Sequence, residues 1–112
     1  MDKQAIFDQV KHHLLAQNAL ALDDDDCVYR APDGRRCAIG ALIPDDLYHE
    51  EMEGEGFNNE CFTSVRNYLG VNGPNDMTFL DNLRRIHDDV EVRDWEYALT
   101  AFAARYGLKY AE

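Results

Sequence analysis

Apolar positions recur with helical spacing in four segments of the chain. These segments are residues 3–17, 58–70, 77–90 and 93–108. The first one carries the stripe Ile6, Phe7, Val10 and Leu14. Asp2 in front of this stripe is a typical N-cap, and Asn18 behind it is a typical helix stop. Each of the four segments therefore predicts an amphipathic helix.

A further, shorter helix is predicted in residues 44–54. Pro44 suits the first helical position, and Asp45 and Asp46 suit the positive N-terminal end of the helix dipole. Gly54 suits the C-terminal end. The VNGPND stretch at residues 71–76 is expected to be a loop.

A β-hairpin is predicted in residues 27–39, around a Pro-Asp-Gly turn. Pro32 presets the first central position of a turn, and Gly34 can adopt the positive φ that closes a short hairpin loop. This turn would place Tyr29 opposite Cys37. Two strands alone are only marginally stable, so the helices must cover one face of the ribbon.

These elements predict an α+β, mostly α fold with about five helices and one β-hairpin at roughly residues 27–39. The 112 residues, of which 46% are apolar, fit a single compact domain spanning residues 1–112.

Charge narrows the range of partners. The chain has 22 acidic residues against 11 Lys and Arg, which gives a formal net charge of −11. This excess opposes direct binding to nucleic acid or to anionic membranes and favours a basic protein partner. The run of four aspartates at residues 23–26 repels itself and is expected to form a solvated loop.

The acidic residues are also unevenly distributed. There is no Lys or Arg between Arg36 and Arg66. Within this gap lie seven carboxylates, which are the predicted binding residues: Asp45, Asp46, Glu50, Glu51, Glu53, Glu55 and Glu60.

The chain carries few signals for metals, cofactors or membranes. Its three cysteines are an odd number and none lies in a C-x-x-C pair, so we expect free thiols, no metal and no cofactor. No apolar run approaches the ~20 residues of a membrane span, and the N-terminus lacks the apolar core of a signal peptide. We therefore expect a cytoplasmic protein. The sequence carries no signal for its oligomeric state.

A cysteine-dependent hydrolase or transferase is an alternative from another class. Cys37 would be the nucleophile and His87 the base. His87, however, lies in register with Leu80 and Leu83, which is typical of a buried, hydrogen-bonded histidine. Asp88 follows it directly and is expected to point elsewhere on the helix. The structural alternative is that Cys37 only packs the hairpin onto the helices.

The stretch YRAPDGRRCAIGALIPDDLYHEEMEG, followed by LRRIHDD and WEYALTAFA, resembles a group of small uncharacterised bacterial, prophage and phage proteins. Their shared core reads Y-R, G-x-x-C-A-[IV]-G, I-P-D, Y and E-G. The matching residues are Tyr29, Arg30, Gly34, Cys37, Ala38, Gly40, Ile43, Pro44, Asp45, Tyr48, Glu53, Gly54, His87, Asp88 and Trp95. The resemblance implies a bacterial or phage setting and no particular activity.

The leading hypothesis is a small acidic interaction protein that binds a basic, nucleic-acid-binding protein and inhibits it by occlusion. An immunity protein against a basic toxin is a close alternative. Both follow from the long segment without Lys or Arg, because such a surface attracts cationic grooves.

Overall fold

Four α-helices, five short 3₁₀ helices and one short antiparallel hairpin make up the regular structure of residues 2–110, which are the residues described by a computed structural model. The helices are α1 (Lys3–Gln17), α2 (Thr63–Leu69), α3 (Gly73–Asp89) and α4 (Trp95–Tyr106). The strands are β1 (Leu22–Asp23) and β2 (Asp26–Cys27). The predicted α+β, mostly α class is confirmed, with four α-helices in place of about five.

Helices α1, α3 and α4 pack against one another and enclose much of the apolar core. The Phe7 ring stacks on Phe102 at 5.7 Å between centroids, and Phe79 meets Phe102 edge-on. The predicted ends of α1 are confirmed, because Asp2 accepts a hydrogen bond from the Ala5 amide and Asn18 adopts the left-handed conformation.

The hairpin lies earlier in the chain than predicted. The aspartate run, expected to be a solvated loop, is exposed and forms the turn of this hairpin, with φ values of 50° at Asp24 and 68° at Asp25. Leu22 pairs with Cys27 on either side of this turn. Two successive residues with positive φ are typical of the tight turns that match strand twist, and aspartate tolerates this conformation better than most residues.

Residues 27–39 contain only a remnant of the predicted ribbon. Arg30 and Arg36 form an isolated bridge, and the Cys37 amide donates to the Tyr29 carbonyl in the register expected from the sequence. The ribbon ends there because the chain turns into a 3₁₀ helix, Gly40–Leu42. A Cβ at Gly40 would lie 1.9 Å from the Tyr29 carbonyl oxygen, so this close approach requires glycine.

Two further predictions about local structure are wrong. Residues 44–54 form two 3₁₀ turns, Asp45–Leu47 and Glu50–Met52, instead of one helix. Met52 is the only side chain of these turns that is fully buried, so the segment lacks the apolar stripe that stabilises an α-helix. In contrast, α3 begins at Gly73, inside the predicted loop at residues 71–76, because Pro74 is compatible with a first helical turn.

Within residues 2–110, no helix combines the length and the apolar character that crossing a bilayer requires.

Candidate functional site

The acidic loop, residues 45–60, contains all seven predicted binding carboxylates. Two of the seven are used to hold the protein together. Asp45 accepts from Arg30 at 2.9 Å and from Arg36 at 3.1 Å. This carboxylate is therefore already paired with two cations, although its side chain is exposed.

Glu53 anchors the acidic loop to the residues after the hairpin. Its two carboxylate oxygens accept from the Tyr29 amide at 2.9 Å and the Arg30 amide at 3.0 Å. One of them also accepts from the Tyr48 hydroxyl at 2.6 Å. Burial and this hydrogen bond raise the pKa of Tyr48 to about 12. All of these contacts are internal, so Glu53 is a structural residue.

The other five carboxylates of the loop are exposed. They are Asp46, Glu50, Glu51, Glu55 and Glu60. Among residues 2–110, no Lys, Arg or His side chain lies within ion-pair distance of any of them. Arg66, the nearest cation after the gap in sequence, instead donates to the carbonyls of Phe57 and Asn59. The negative charges of the five exposed carboxylates therefore face solvent without a cation to neutralise them.

A cavity of about 320 Å³ opens beside the acidic loop, and we refer to it as the central cleft. It lies between the end of the hairpin, the loop around Gly54 and the exposed side of α3. Its lining includes Cys27, Tyr29, Cys37, Glu53, Gly54, Glu55, Gly56, Asp81, Arg84 and Asp88. Glu55 belongs both to the cleft and to the acidic loop.

Arg84 is held against the wall of the central cleft by two carboxylates of its own helix. It donates to Asp81 at 2.8 Å and to Asp88 at 2.6 Å. The hydrogen bond from Arg84 lowers the pKa of Asp81. Burial opposes ionisation of Asp88, but hydrogen bonds from His87 and Arg84 outweigh it and lower the pKa of Asp88. Both carboxylates are thus ionised at neutral pH.

His87 is fully buried and hydrogen-bonded, as its register in the helix predicted. Its Nε2 atom accepts from the Ala21 amide at 3.0 Å, so the proton of the neutral ring lies on Nδ1 and is donated to Asp88 at 2.6 Å. The prediction that Asp88 points away from His87 is wrong. Arg84, one turn earlier, holds the Asp88 carboxylate on the side where it meets the imidazole.

Cys27, His87 and Asp88 form the one group of possible metal ligands found among residues 2–110, with ligand atoms within 4.8 Å of one another. Neither imidazole nitrogen has a free lone pair, because Nε2 accepts from Ala21 and Nδ1 carries its proton toward Asp88. Partial burial, together with the charge of Asp88, also raises the pKa of Cys27 to about 11. A metal would have to break the Ala21 hydrogen bond, so these residues do not fit one as they are arranged.

Cys37 has the surroundings of a packed thiol. Only 3% of the residue is exposed, and its sulfur accepts from the Gly40 amide at 3.2 Å. Burial raises the pKa of Cys37 to about 12, so the nucleophilic thiolate is scarce at neutral pH. The Nε2 atom of His87 is already used by Ala21. The alternative with Cys37 as nucleophile and His87 as base gains no support from this geometry.

The residues that carry the resemblance lie in four places. Five of them line the central cleft: Tyr29, Cys37, Glu53, Gly54 and Asp88. Others surround the Glu53 anchor, where the Arg30 guanidinium lies over the Tyr48 ring and donates to the Ile43 carbonyl. Gly34 forms the turn with a φ of 94°, and Trp95 lies in the helical core.

Sequence reasoning missed Asp81, Arg84 and Cys27 as lining residues. Asp81, Arg84 and Asp88 do follow the i, i+3 and i+4 spacings of ion pairs on a helix surface, which is a readable signal. The position of Cys27 depended on the shifted hairpin and had no such signal.

No family model, no curated protein and no solved structure matches this chain.

Proposed function

We propose that this chain is a cytoplasmic, non-enzymatic interaction protein that binds a basic, nucleic-acid-binding protein and inhibits it by occlusion. The acidic loop is the binding surface. The observation that carries this proposal is the set of five exposed carboxylates in that loop, none of which is ion-paired with a cation among residues 2–110. The bacterial or phage setting implied by the resemblance belongs to the proposal as well.

The internal contacts of the loop support a role in binding. Glu53 fixes its middle to the Tyr29 and Arg30 amides, and the Tyr29 hydroxyl donates to the Glu55 carbonyl at 2.5 Å. Arg66 holds its second half through two carbonyls. A loop ordered before binding loses less conformational entropy on association, so more of the electrostatic attraction contributes to affinity.

The net charge of the whole chain also favours binding to a basic protein. A net charge of −11 on 112 residues creates a negative potential that accelerates encounters with cationic surfaces and repels nucleic acid. A cationic groove that normally holds phosphates would meet carboxylates instead. Binding there excludes the nucleic acid, which is the proposed mechanism of inhibition.

A loop variant tests this proposal. It combines Asp46→Asn, Glu50→Gln, Glu51→Gln and Glu60→Gln, and leaves Glu53 and Glu55 in place. A matched control variant removes the same number of exposed charges elsewhere, through Asp8→Asn, Asp89→Asn, Asp94→Asn and Glu96→Gln. Each protein is immobilised, incubated with a bacterial lysate and eluted with double-stranded DNA.

We expect the wild type and the control variant to capture the same basic, nucleic-acid-binding protein, and the loop variant to lose it. Free double-stranded DNA should release the captured protein, because both compete for one surface. Capture of a basic toxin by the same loop would identify the immunity protein. Equal capture by the loop variant and the control variant would contradict the proposal.

A further inference from the structure

The central cleft is one of two adjoining compartments on α3. The second, of about 240 Å³, is lined mainly by apolar side chains: Ile39, Phe57, Met77 and Leu80. Asp81 and Arg84 line both compartments. A charged compartment thus opens next to an apolar one, and the Asp81–Arg84 pair forms their common wall.

The charges of the central cleft select for a cation. Four carboxylates line it, from Glu53, Glu55, Asp81 and Asp88, against the guanidinium of Arg84, and Asp81 is also paired with Arg85 at 3.1 Å. Arg84 already donates to two of them, so an incoming anion would compete for its hydrogens and meet the remaining negative charge. A cation would find acceptor lone pairs on several oxygens at once.

The size of the cleft fits one side chain. Its volume of about 320 Å³ lies at the lower end of ligand pockets, which hold roughly 300 to 1,000 Å³. An arginine has a planar, weakly hydrated guanidinium and an apolar stem, so its two parts match a carboxylate-lined compartment beside an apolar one. The ammonium of lysine is more strongly hydrated and makes no bidentate contact with a carboxylate.

We propose that the central cleft receives the guanidinium of an arginine from the basic partner, with the stem of that arginine turned toward the apolar compartment. This inference rests on the proposed function, because the partner supplies the arginine. Glu55 is the exposed carboxylate of the cleft and contacts the guanidinium first. The acidic loop attracts the partner, and the cleft determines where one of its arginines docks.

The full chain, labelled with ¹⁵N, is titrated with N-acetyl-arginine methylamide and followed by NMR. The matched probe is N-acetyl-citrulline methylamide, which has nearly the same shape without the charge. We expect saturable shifts of the Cys27, Gly54, Gly56 and Asp81 amides with the arginine probe and none with the citrulline probe. Glu55→Gln should weaken binding roughly two- to fivefold, whereas Glu60→Gln should leave it unchanged.

Three results would overturn the inference: no saturable shift, equal shifts with both probes, or shifts spread over the acidic loop without the cleft. The outcomes separate the inference from the proposed function. If the probe shifts the cleft signals but no basic protein is captured, the cleft binds arginine and the proposed function is wrong. If capture depends on the loop but the probe leaves the cleft signals unmoved, only the arginine site fails.

Discussion

The helical layer, formed by α1, α3 and α4, and the connecting segment, residues 21–62, are stabilised in different ways. The helical layer buries aromatic and aliphatic side chains such as Phe7 and Trp95. The connecting segment also contributes side chains to this core, but it has only two-residue strands and single 3₁₀ turns, and side chains that bind its backbone amides and carbonyls hold it in place as well. Glu53 and Arg66 make two of these hydrogen bonds each.

This difference shows how a charged segment can be ordered and still present carboxylates to a binding partner. In the connecting segment, a few charged side chains form hydrogen bonds with backbone amides and carbonyls. These backbone groups lie outside regular structure and would otherwise lack a partner. The remaining carboxylates of the acidic loop are then presented on a fixed frame. The central cleft lies where the two regions meet, with α3 as one wall and the loop as the other.

Loss of a large side chain from the helical layer should have the largest effect on stability. Trp95 is 1% exposed, and its indole donates to the Val90 carbonyl. Trp95→Ala should lower the free energy of unfolding by about 3–5 kcal/mol, because it leaves a cavity. Urea denaturation measures this, with Tyr97→Ala, at a position that is 80% exposed, expected to stay within about 0.5 kcal/mol of the wild type.

Loss of the Glu53 anchor should have the next largest effect and should be local. Glu53→Gln replaces one acceptor oxygen with a donor, so an amide or hydroxyl now bonded to it loses its partner. The expected loss is about 2 kcal/mol. Hydrogen exchange should become faster in the Glu55 amide before it changes in α1. Glu51→Gln is the control, and equal effects of the two substitutions would contradict the structural role of Glu53.

The cysteines offer a smaller contrast between buried and exposed positions. Cys37→Ser places a more polar hydroxyl in an apolar site and should cost about 1–3 kcal/mol in unfolding free energy. Cys27 is exposed, so Cys27→Ser should change stability by less than about 0.5 kcal/mol. Thermal or urea unfolding distinguishes them. A stable Cys37→Ser variant that had lost a chemical activity would favour the hydrolase alternative instead.

Asp88 should produce an effect that depends on pH, present at neutral pH and disappearing in acid. Its pKa is lowered in the folded protein, so it contributes stability above its unfolded pKa of about 4 and loses that contribution as the pH falls through the lower folded value. Asp88→Asn should therefore make stability fall less steeply below about pH 4. Asp89→Asn, at an exposed position, is the control. Identical acid unfolding of the wild type, Asp88→Asn and Asp89→Asn would contradict this role of Asp88.

The helical layer could be predicted from the sequence, and the connecting segment could not. The stripe of α1 and its capping residues specify a helix locally, because burial and capping follow from spacing. The contacts of Glu53 with residues 29 and 30 join positions far apart in sequence and have no periodic signal. The charge of the aspartate run is evident in the sequence and predicts exposure to solvent. It does not predict the positive φ values of Asp24 and Asp25, which arise only in the folded turn.

The candidate site was predicted only in part, for the same reason. The gap without Lys or Arg predicted the acidic loop as the binding segment, and five of its seven carboxylates are exposed and carry no ion pair among residues 2–110. It did not reveal that Asp45 pairs with Arg30 and Arg36, which lie outside the gap. Nor did it reveal that Glu53 accepts from the amides of residues 29 and 30. The central cleft depends on the packing of the loop against α3, which the pattern along the chain does not specify.

The salt dependence of binding to the captured basic partner tests the central claim most directly. The dissociation constants of the wild type, the loop variant and the control variant are measured by calorimetry at increasing salt concentrations. We expect affinity to fall steeply with salt concentration for the wild type and the control variant, and clearly less steeply for the loop variant. A slope that is the same in all three proteins, or an affinity that salt leaves unchanged, would contradict it.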